Sequence, residues 1–246
     1  LVEAYRLRHP DETQRHAAAE LAVGAGTAGD LTAGRVGDPT YTTAAGSAMV
    51  RWTDELACYG EGFAGRTAEL NALDDAWNGG AVRVVVFHAE GGAGKTRLLV
   101  QWLNRLRDDG WRGAGRVFVQ SFYSQGNRDK GYASSDLFFE HALAWFGYCG
   151  RRITDARERG QTLARLVVQQ QGLLVLDGLE PLQHPAAFNE GRLRDPGIEQ
   201  LVLALASMTG GRPHRALCVV TSRQPLVELR DRVGRGRRVV GGVQVG

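Results

Sequence analysis

A glycine-rich segment in the first half of the chain carries residue types that bind phosphate. Residues 84–88 form an apolar run, and residues 89–96 read Ala-Glu-Gly-Gly-Ala-Gly-Lys-Thr. Glycines let backbone N–H groups turn toward a phosphate, and a following helix N-terminus adds partial positive charge. Lys95 is spaced to reach the β- and γ-phosphates, and the Thr96 hydroxyl to ligate Mg²⁺. This P-loop pattern, with Ala89 in place of the usual first glycine, predicts phosphate contacts from Glu90, Gly91, Gly92, Ala93, Gly94, Lys95, Thr96 and Arg97.

A second apolar run ends on a carboxylate. Residues 173–177 read Leu-Leu-Val-Leu-Asp, which is typical of a buried strand that places Asp177 at the edge of a sheet. With a P-loop upstream, this position favours Asp177 as a second Mg²⁺ ligand beside Thr96. The alternative is a turn, since Asp177-Gly178 is also a turn signal.

Two charged residues are candidates for catalysis and sensing. Hydrolysis needs a carboxylate that orients the attacking water, and Glu180 follows Asp177 by three residues, with Gly178 directly after the aspartate. Glu180 either has this role or is a solvated residue beside Pro181. Arg223 follows an apolar run, where a guanidinium can sense a γ-phosphate. Its alternative is an ordinary surface arginine in an arginine-rich chain.

Alternating strands and helices must position these residues. The predicted strands are Val82–His88, Arg116–Gln120, Leu173–Asp177, Ala216–Thr221 and Arg238–Val240. The predicted helices are Thr67–Trp77 with Thr67 as N-cap, Thr96–Asp109, a helix capped by Ser134 or Ser135 that runs through Phe146, Thr162–Gln170 and Ile198–Met208. Apolar strands that alternate with helices indicate an α/β fold, the three-layer sandwich of P-loop NTPases with a mostly parallel sheet. Ligands then bind beyond the carboxyl ends of the strands.

The N-terminal region and the composition set the remaining expectations. Residues 1–50 are predicted to be poorly ordered, with a helix over Glu12–Val23 and a flexible linker over Gly24–Ser47. Residues 51–246 are predicted to form the nucleotide-binding domain. A net charge of +3 is too small to indicate a nucleic-acid partner. The three cysteines are odd in number and widely separated, so we expect no disulfides and a cytoplasmic protein. The chain has no apolar run of about 20 residues, so we expect no membrane partner.

Several segments together resemble the nucleotide-binding domain of STAND proteins, the signal-transduction ATPases with numerous domains. The similar segments are Gly65–Leu70, Gly91–Thr96, Phe118–Gly126, Leu174–Leu182 and Val219–Arg223. The resemblance implies a switch in which ADP holds a closed form and exchange for ATP, with Mg²⁺, permits homo-oligomerisation. It also implies an effector domain before the module and a lid and sensor repeats after it. No lid and no repeats are visible in this chain, so we expect a module that is either truncated or altered at its end, whose effector and sensor partners are not present in this chain.

Three functions remain open from the sequence. The first is a regulatory ATPase that binds ATP and ADP and hydrolyses ATP slowly. The second is a nucleotide-dependent interaction scaffold that does not hydrolyse ATP, in which Glu180 is not a base. The third is a P-loop phosphotransferase, for which the sequence offers no convincing acceptor pocket or arginine-bearing lid.

Overall fold

The fold is built around one seven-stranded sheet. The structure is a computed structural model that describes residues 40–42, 48–52, 65–122, 135–185, 191–208, 215–232 and 240–244. The order of strands across the sheet is β1-β2-β4-β5-β6-β3-β7. Only the β1–β2 pair is antiparallel, and every other neighbouring pair is parallel. The strands are β1 Thr40–Thr42, β2 Met49–Trp52, β3 Val84–His88, β4 Arg116–Ser121, β5 Leu173–Asp177, β6 Leu217–Ser222 and β7 Val240–Gln244.

Within the described part of the chain, five α-helices cover both faces of this sheet. They are α1 Thr67–Gly79, α2 Lys95–Asp108, α3 Asp136–Trp145, α4 Ala156–Gln169 and α5 Pro196–Ser207. Successive strand side chains point to opposite faces, so each central strand contributes to two cores. In β5, Leu174 and Leu176 pack with α3, α4 and α5, whereas Leu173 and Val175 pack with α1 and α2. This is the predicted three-layer α/β sandwich with a mostly parallel sheet, and the prediction is confirmed.

The strand order determines which loops meet at the carboxyl edge of the sheet. Strand β6 pairs with β3 on one side and with β5 on the other. Because all three strands are parallel, the residues that follow His88, Asp177 and Ser222 emerge at the same edge. The glycine-rich loop, the Asp177 segment and the Arg223 turn therefore become neighbours despite their separation along the chain.

Most element bounds lie close to those predicted from the sequence, and the exceptions have local causes. Helix α4 begins at Ala156 rather than Thr162, because the Asp155 carboxylate accepts a hydrogen bond from the Glu158 backbone N–H at 2.7 Å and caps it. Helix α1 has Arg66, not Thr67, at its N-cap, with a left-handed φ of 57° and no side-chain cap. Strand β7 is Val240–Gln244 rather than Arg238–Val240.

Part of the N-terminal region belongs to the sheet. Strand β1 lies inside the segment predicted to be a linker, since Thr40–Thr42 pairs with Met49–Arg51. All described elements belong to one unit, Pro39–Gly246. The division into domains at residue 50 stays a prediction. The predicted poorly ordered N-terminal segment with its helix over Glu12–Val23, and a polar loop expected over Ser124–Ala133, lie largely or wholly outside the described residues.

Candidate functional site

The glycine-rich loop connects β3 to α2 and exposes backbone rather than side chains. Gly92 and Gly94 have φ values of 85° and 76°, a left-handed conformation that favours glycine. Gly94 is the N-cap of α2, and the first turn of α2, which is fully described, holds no acidic side chain. The helix N-terminus therefore presents its partial positive charge at the loop, where it favours an anion.

Lys95 lies beneath this loop and is only 5% exposed. Its Nζ donates hydrogen bonds to the Ala89 carbonyl at 2.6 Å and to the Glu90 carbonyl at 3.0 Å. Burial lowers the pKa of the Lys95 ammonium, and the nearby Arg223 guanidinium acts in the same direction, while the Glu180 carboxylate opposes both. An ammonium has three N–H donors, so a phosphate oxygen in the loop could accept the third.

Asp177 is fully buried at the end of β5 and is held by two threonine hydroxyls. The Thr96 Oγ1 donates to its carboxylate, 3.1 Å from each oxygen, and the Thr221 Oγ1 donates to Oδ1 at 2.6 Å. Thr221 in turn accepts a hydrogen bond from the Gly178 backbone N–H at 2.8 Å. Thr96 on α2 and Asp177 on β5, the two residues predicted to hold Mg²⁺, are thus in direct contact.

The donor atoms around Asp177 fit a magnesium ion. Mg²⁺ prefers oxygen ligands and is usually held by one or two protein oxygens together with substrate phosphates. Thr96 and Asp177 supply such oxygens beside the phosphate loop. Among the described residues no three His, Cys, Asp or Glu side chains form a metal cluster, so further ligands would have to come from phosphate and water.

We expect Asp177→Asn to stabilise the protein in the absence of nucleotide and magnesium. Burial raises the pKa of the Asp177 carboxyl above 3.8, its ordinary value, and outweighs the hydrogen bonds from Thr221 and Thr96, which lower it. The folded state then binds the proton more tightly than the unfolded state. Ionisation therefore costs stability, and the free energy of unfolding falls as the pH rises from about 4 toward the raised pKa.

Asparagine removes this ionisation, so at neutral pH the variant should unfold with a free energy about 1 kcal/mol higher than the unchanged chain. The difference should shrink below pH 4, and urea unfolding at a series of pH values measures it. A variant that is less stable than the unchanged chain at pH 7 would contradict the argument.

Glu180 and Arg223 meet beside the glycine-rich loop. Glu180 begins a short 3-10 helix, Glu180–Leu182, and Arg223 follows β6. The Arg223 Nε lies 3.8 Å from the Glu180 Oε1. A Cβ built on Gly91 would lie 3.5 Å from the Arg223 Cζ, so the guanidinium lies alongside the loop. The Arg223 side chain is 58% exposed, and an ion pair this exposed contributes little to stability.

The structure thus brings together five of the predicted site residues: Lys95, Thr96, Asp177, Glu180 and Arg223. In the loop, Glu90 contributes its carbonyl to Lys95, while its side chain and that of Arg97 are exposed. Sequence reasoning gave no role to Thr221 or to Gln183, a buried residue that hydrogen bonds to Ser222. The position of Thr221 at the end of an apolar strand is a sequence signal that could have indicated a role at the site. No sequence pattern indicates a role for Gln183.

Comparison with known proteins gives similarity of structure only. No family model matches the chain, and no curated protein matches it. A solved structure of Drosophila ORC bound to DNA matches with a TM-score of 0.42 and 8% identity, over 72% of this chain and 87% of that one. The Aeropyrum pernix ORC1 protein in complex with DNA matches with a TM-score of 0.45 and 16% identity, over 76% of this chain and 47% of that one.

One expectation about partners is corrected by these neighbours. Both were solved with DNA, which contradicts the expectation that nucleic acid is not indicated as a partner. The net charge of +3 is a sum over the whole chain and carries no information on local basic surfaces, so it cannot support that exclusion. Separately, none of the described helices has the length and apolar character needed to cross a bilayer.

Proposed function

We propose that this chain is a regulatory ATPase module that binds ATP and ADP and acts as a nucleotide-dependent signalling switch, with slow magnesium-dependent hydrolysis. One observation carries the proposal: a buried lysine, a hydroxyl–carboxylate pair and a glutamate–arginine pair surround the same glycine-rich loop. The preference for adenine and the assignment to STAND modules rest on the sequence resemblance alone.

Each residue has a role that follows from its position. The loop N–H groups and Lys95 would bind the β- and γ-phosphates. Thr96 and Asp177 would hold the magnesium ion, which supplies positive charge beside the phosphate oxygens. Glu180 would orient or deprotonate the attacking water, because its carboxylate lies close enough to Lys95 and Asp177 to affect the charge on both. Arg223 would donate to γ-phosphate oxygens that ATP has and ADP lacks.

A non-hydrolysing scaffold is the second candidate, and a specific contact favours it. Glu180 lies 3.8 Å from Arg223, so its carboxylate is directed toward a cation rather than held only for a water. Gly178 occupies the position directly after Asp177, where many ATPases of this type have their glutamate. Binding without turnover is the result that distinguishes this candidate from the first.

Titration of the full chain with fluorescent ADP and ATP, each with Mg²⁺ and with a chelator, tests the proposal. We expect micromolar binding of both nucleotides, and for ATP a loss of affinity when the chelator removes Mg²⁺. Guanine nucleotides in a parallel titration test the adenine preference. If neither ATP nor ADP binds under any of these conditions, the proposed function is wrong.

Arg223→Ala is expected to weaken ATP binding by about tenfold and to change ADP binding by less than about twofold. The basis is the loss of one charge-assisted hydrogen bond to the γ-phosphate, an oxygen group that ADP does not present. Competition between labelled ADP and a non-hydrolysable ATP analogue measures both affinities in one experiment. Arg157→Ala, which removes a largely exposed arginine from α4, is the matched control. An equal loss for ATP and ADP would contradict the sensing role.

A further inference from the structure

A closed ring of hydrogen bonds lies directly behind the Arg223 turn. The Ser222 Oγ donates to the Gln183 Oε1, and the Gln183 Nε2 donates to the Gly191 carbonyl at 3.0 Å. The Gly191 N–H donates to the Gln224 Oε1 at 2.8 Å, and the Gln224 N–H donates back to the Ser222 Oγ at 3.2 Å. We call these four residues the glutamine ring.

The glutamine ring fixes the chain on both sides of Arg223. Ser222 and Gln224 are its immediate neighbours in sequence, and both are members of the ring. Gly191 packs tightly against this turn, because a Cβ at Gly191 would lie 2.2 Å from the Pro225 carbonyl oxygen. Ser222 is fully buried and Gln183 nearly so, and buried networks with every partner satisfied are rigid. The backbone that carries Arg223 therefore has little freedom to shift.

Gln183 also reaches the other charged residue of the pair. Its backbone N–H donates to the Glu180 carbonyl at 3.1 Å and closes the 3-10 turn that begins with the glutamate. Gln183 thus forms hydrogen bonds both with the turn that begins at Glu180 and with Ser222, the residue before Arg223. Gln183 therefore links the two turns, with its backbone N–H on the Glu180 side and its side-chain amide on the Arg223 side.

From this geometry we infer that Gln183 is a positioning residue of the proposed nucleotide site, which holds Arg223 where it distinguishes ATP from ADP. The inference rests on the proposed function and adds to it a buried residue that is not among those proposed to contact the nucleotide. It acts through Arg223, so its effect should appear in ATP binding and should depend on the presence of that arginine.

The test is a double-mutant cycle with Gln183→Leu and Arg223→Ala in the full chain, read by the affinities for ADP and for a non-hydrolysable ATP analogue. Leucine keeps most of the side-chain volume and removes both amide hydrogen bonds. We expect Gln183→Leu to weaken ATP binding by about threefold to tenfold, with ADP affinity unchanged within about twofold. In the Arg223→Ala background the same change should add less than about twofold.

Two further variants separate positioning from loss of stability. Ser222→Ala opens the glutamine ring from the opposite side and should reproduce the effect of Gln183→Leu, which keeps the inference testable if the leucine variant does not fold. Ser135→Ala removes another buried hydroxyl, one that donates to Asp195 outside the ring. This control should lose stability without any change in the preference between ATP and ADP.

Three results would overturn the inference: equal losses for ATP and ADP, an undiminished effect in the Arg223→Ala background, or normal nucleotide preference in both ring variants. Each of these can occur while the unchanged chain binds nucleotide, so the proposed function would survive them. Absence of all binding by the unchanged chain would overturn the proposed function and the inference together.

Discussion

Replacing Lys95 with alanine is expected to lower the affinity for both ATP and ADP by about tenfold to a hundredfold. Two of the three ammonium donors are bonded to the Ala89 and Glu90 carbonyls, so one remains for a phosphate oxygen, and a charge-assisted hydrogen bond of this kind contributes about 1.5–3 kcal/mol. Unlike Arg223, Lys95 is proposed to contact the β-phosphate, which ATP and ADP share. The two nucleotides should therefore lose affinity together.

The same substitution should leave the fold intact. Burial already lowers the pKa of the Lys95 ammonium, which means that the charged form is disfavoured in the folded state. Alanine removes this cost and also removes the hydrogen bonds to the Ala89 and Glu90 carbonyls, so the two effects oppose each other and the thermal midpoint without nucleotide should change little. Nucleotide-dependent stabilisation in thermal unfolding, followed with and without Mg²⁺, measures both effects at once.

Arg107→Ala is the matched control for Lys95→Ala. It removes a cation from the same helix at the far end, where Arg107 pairs with Asp108 at 3.1 Å and is about half exposed. Nucleotide binding should be unchanged in this variant. Lys95→Ala with normal affinity for ADP and ATP would show that the glycine-rich loop does not bind phosphate in this chain.

The sequence predicts those parts of the fold that depend on repeated local patterns. Strand β5 is predicted with its bounds exactly as observed, since an apolar run bounded by Gly172 and Gly178 leaves little choice of ends. The loop and Asp177 are also predictable, because glycine spacing and a carboxylate after an apolar strand are strong local signals. The parallel sheet then brings both to one edge, and their contact follows without further information.

The remaining features depend on contacts between distant segments. The sequence does not predict the start of α4 at Ala156, because its first turn contains exposed charged residues and its cap, Asp155, is one of many acids in the chain. The position of β1 is set by pairing with β2, not by apolar periodicity in Thr40–Thr42. The glutamine ring joins residues 183, 191, 222 and 224. No sequence pattern in any one of these segments predicts the ring, because its members come from three separate parts of the chain.

Replacing Glu180 with glutamine is expected to lower the rate of ATP hydrolysis by about a hundredfold while ATP affinity stays within about threefold. General-base catalysis by a positioned carboxylate contributes about a hundredfold or more, and an amide cannot take the proton. Glutamine has the same shape, and its oxygen can still accept from the Arg223 guanidinium. The variant therefore tests the chemistry of the carboxylate separately from its contact with Arg223.

Single-turnover hydrolysis at saturating ATP and Mg²⁺ is the measurement, because it excludes slow product release from the rate. Glu140→Gln, which changes an exposed glutamate on α3, is the control and should hydrolyse ATP at the rate of the unchanged chain. If the unchanged chain binds ATP but does not hydrolyse it, Glu180 is an ion-pair partner of Arg223 and the scaffold function is favoured. If Glu180→Gln hydrolyses ATP normally, another group activates the water. The 3.8 Å contact between Glu180 and Arg223 then serves nucleotide sensing alone.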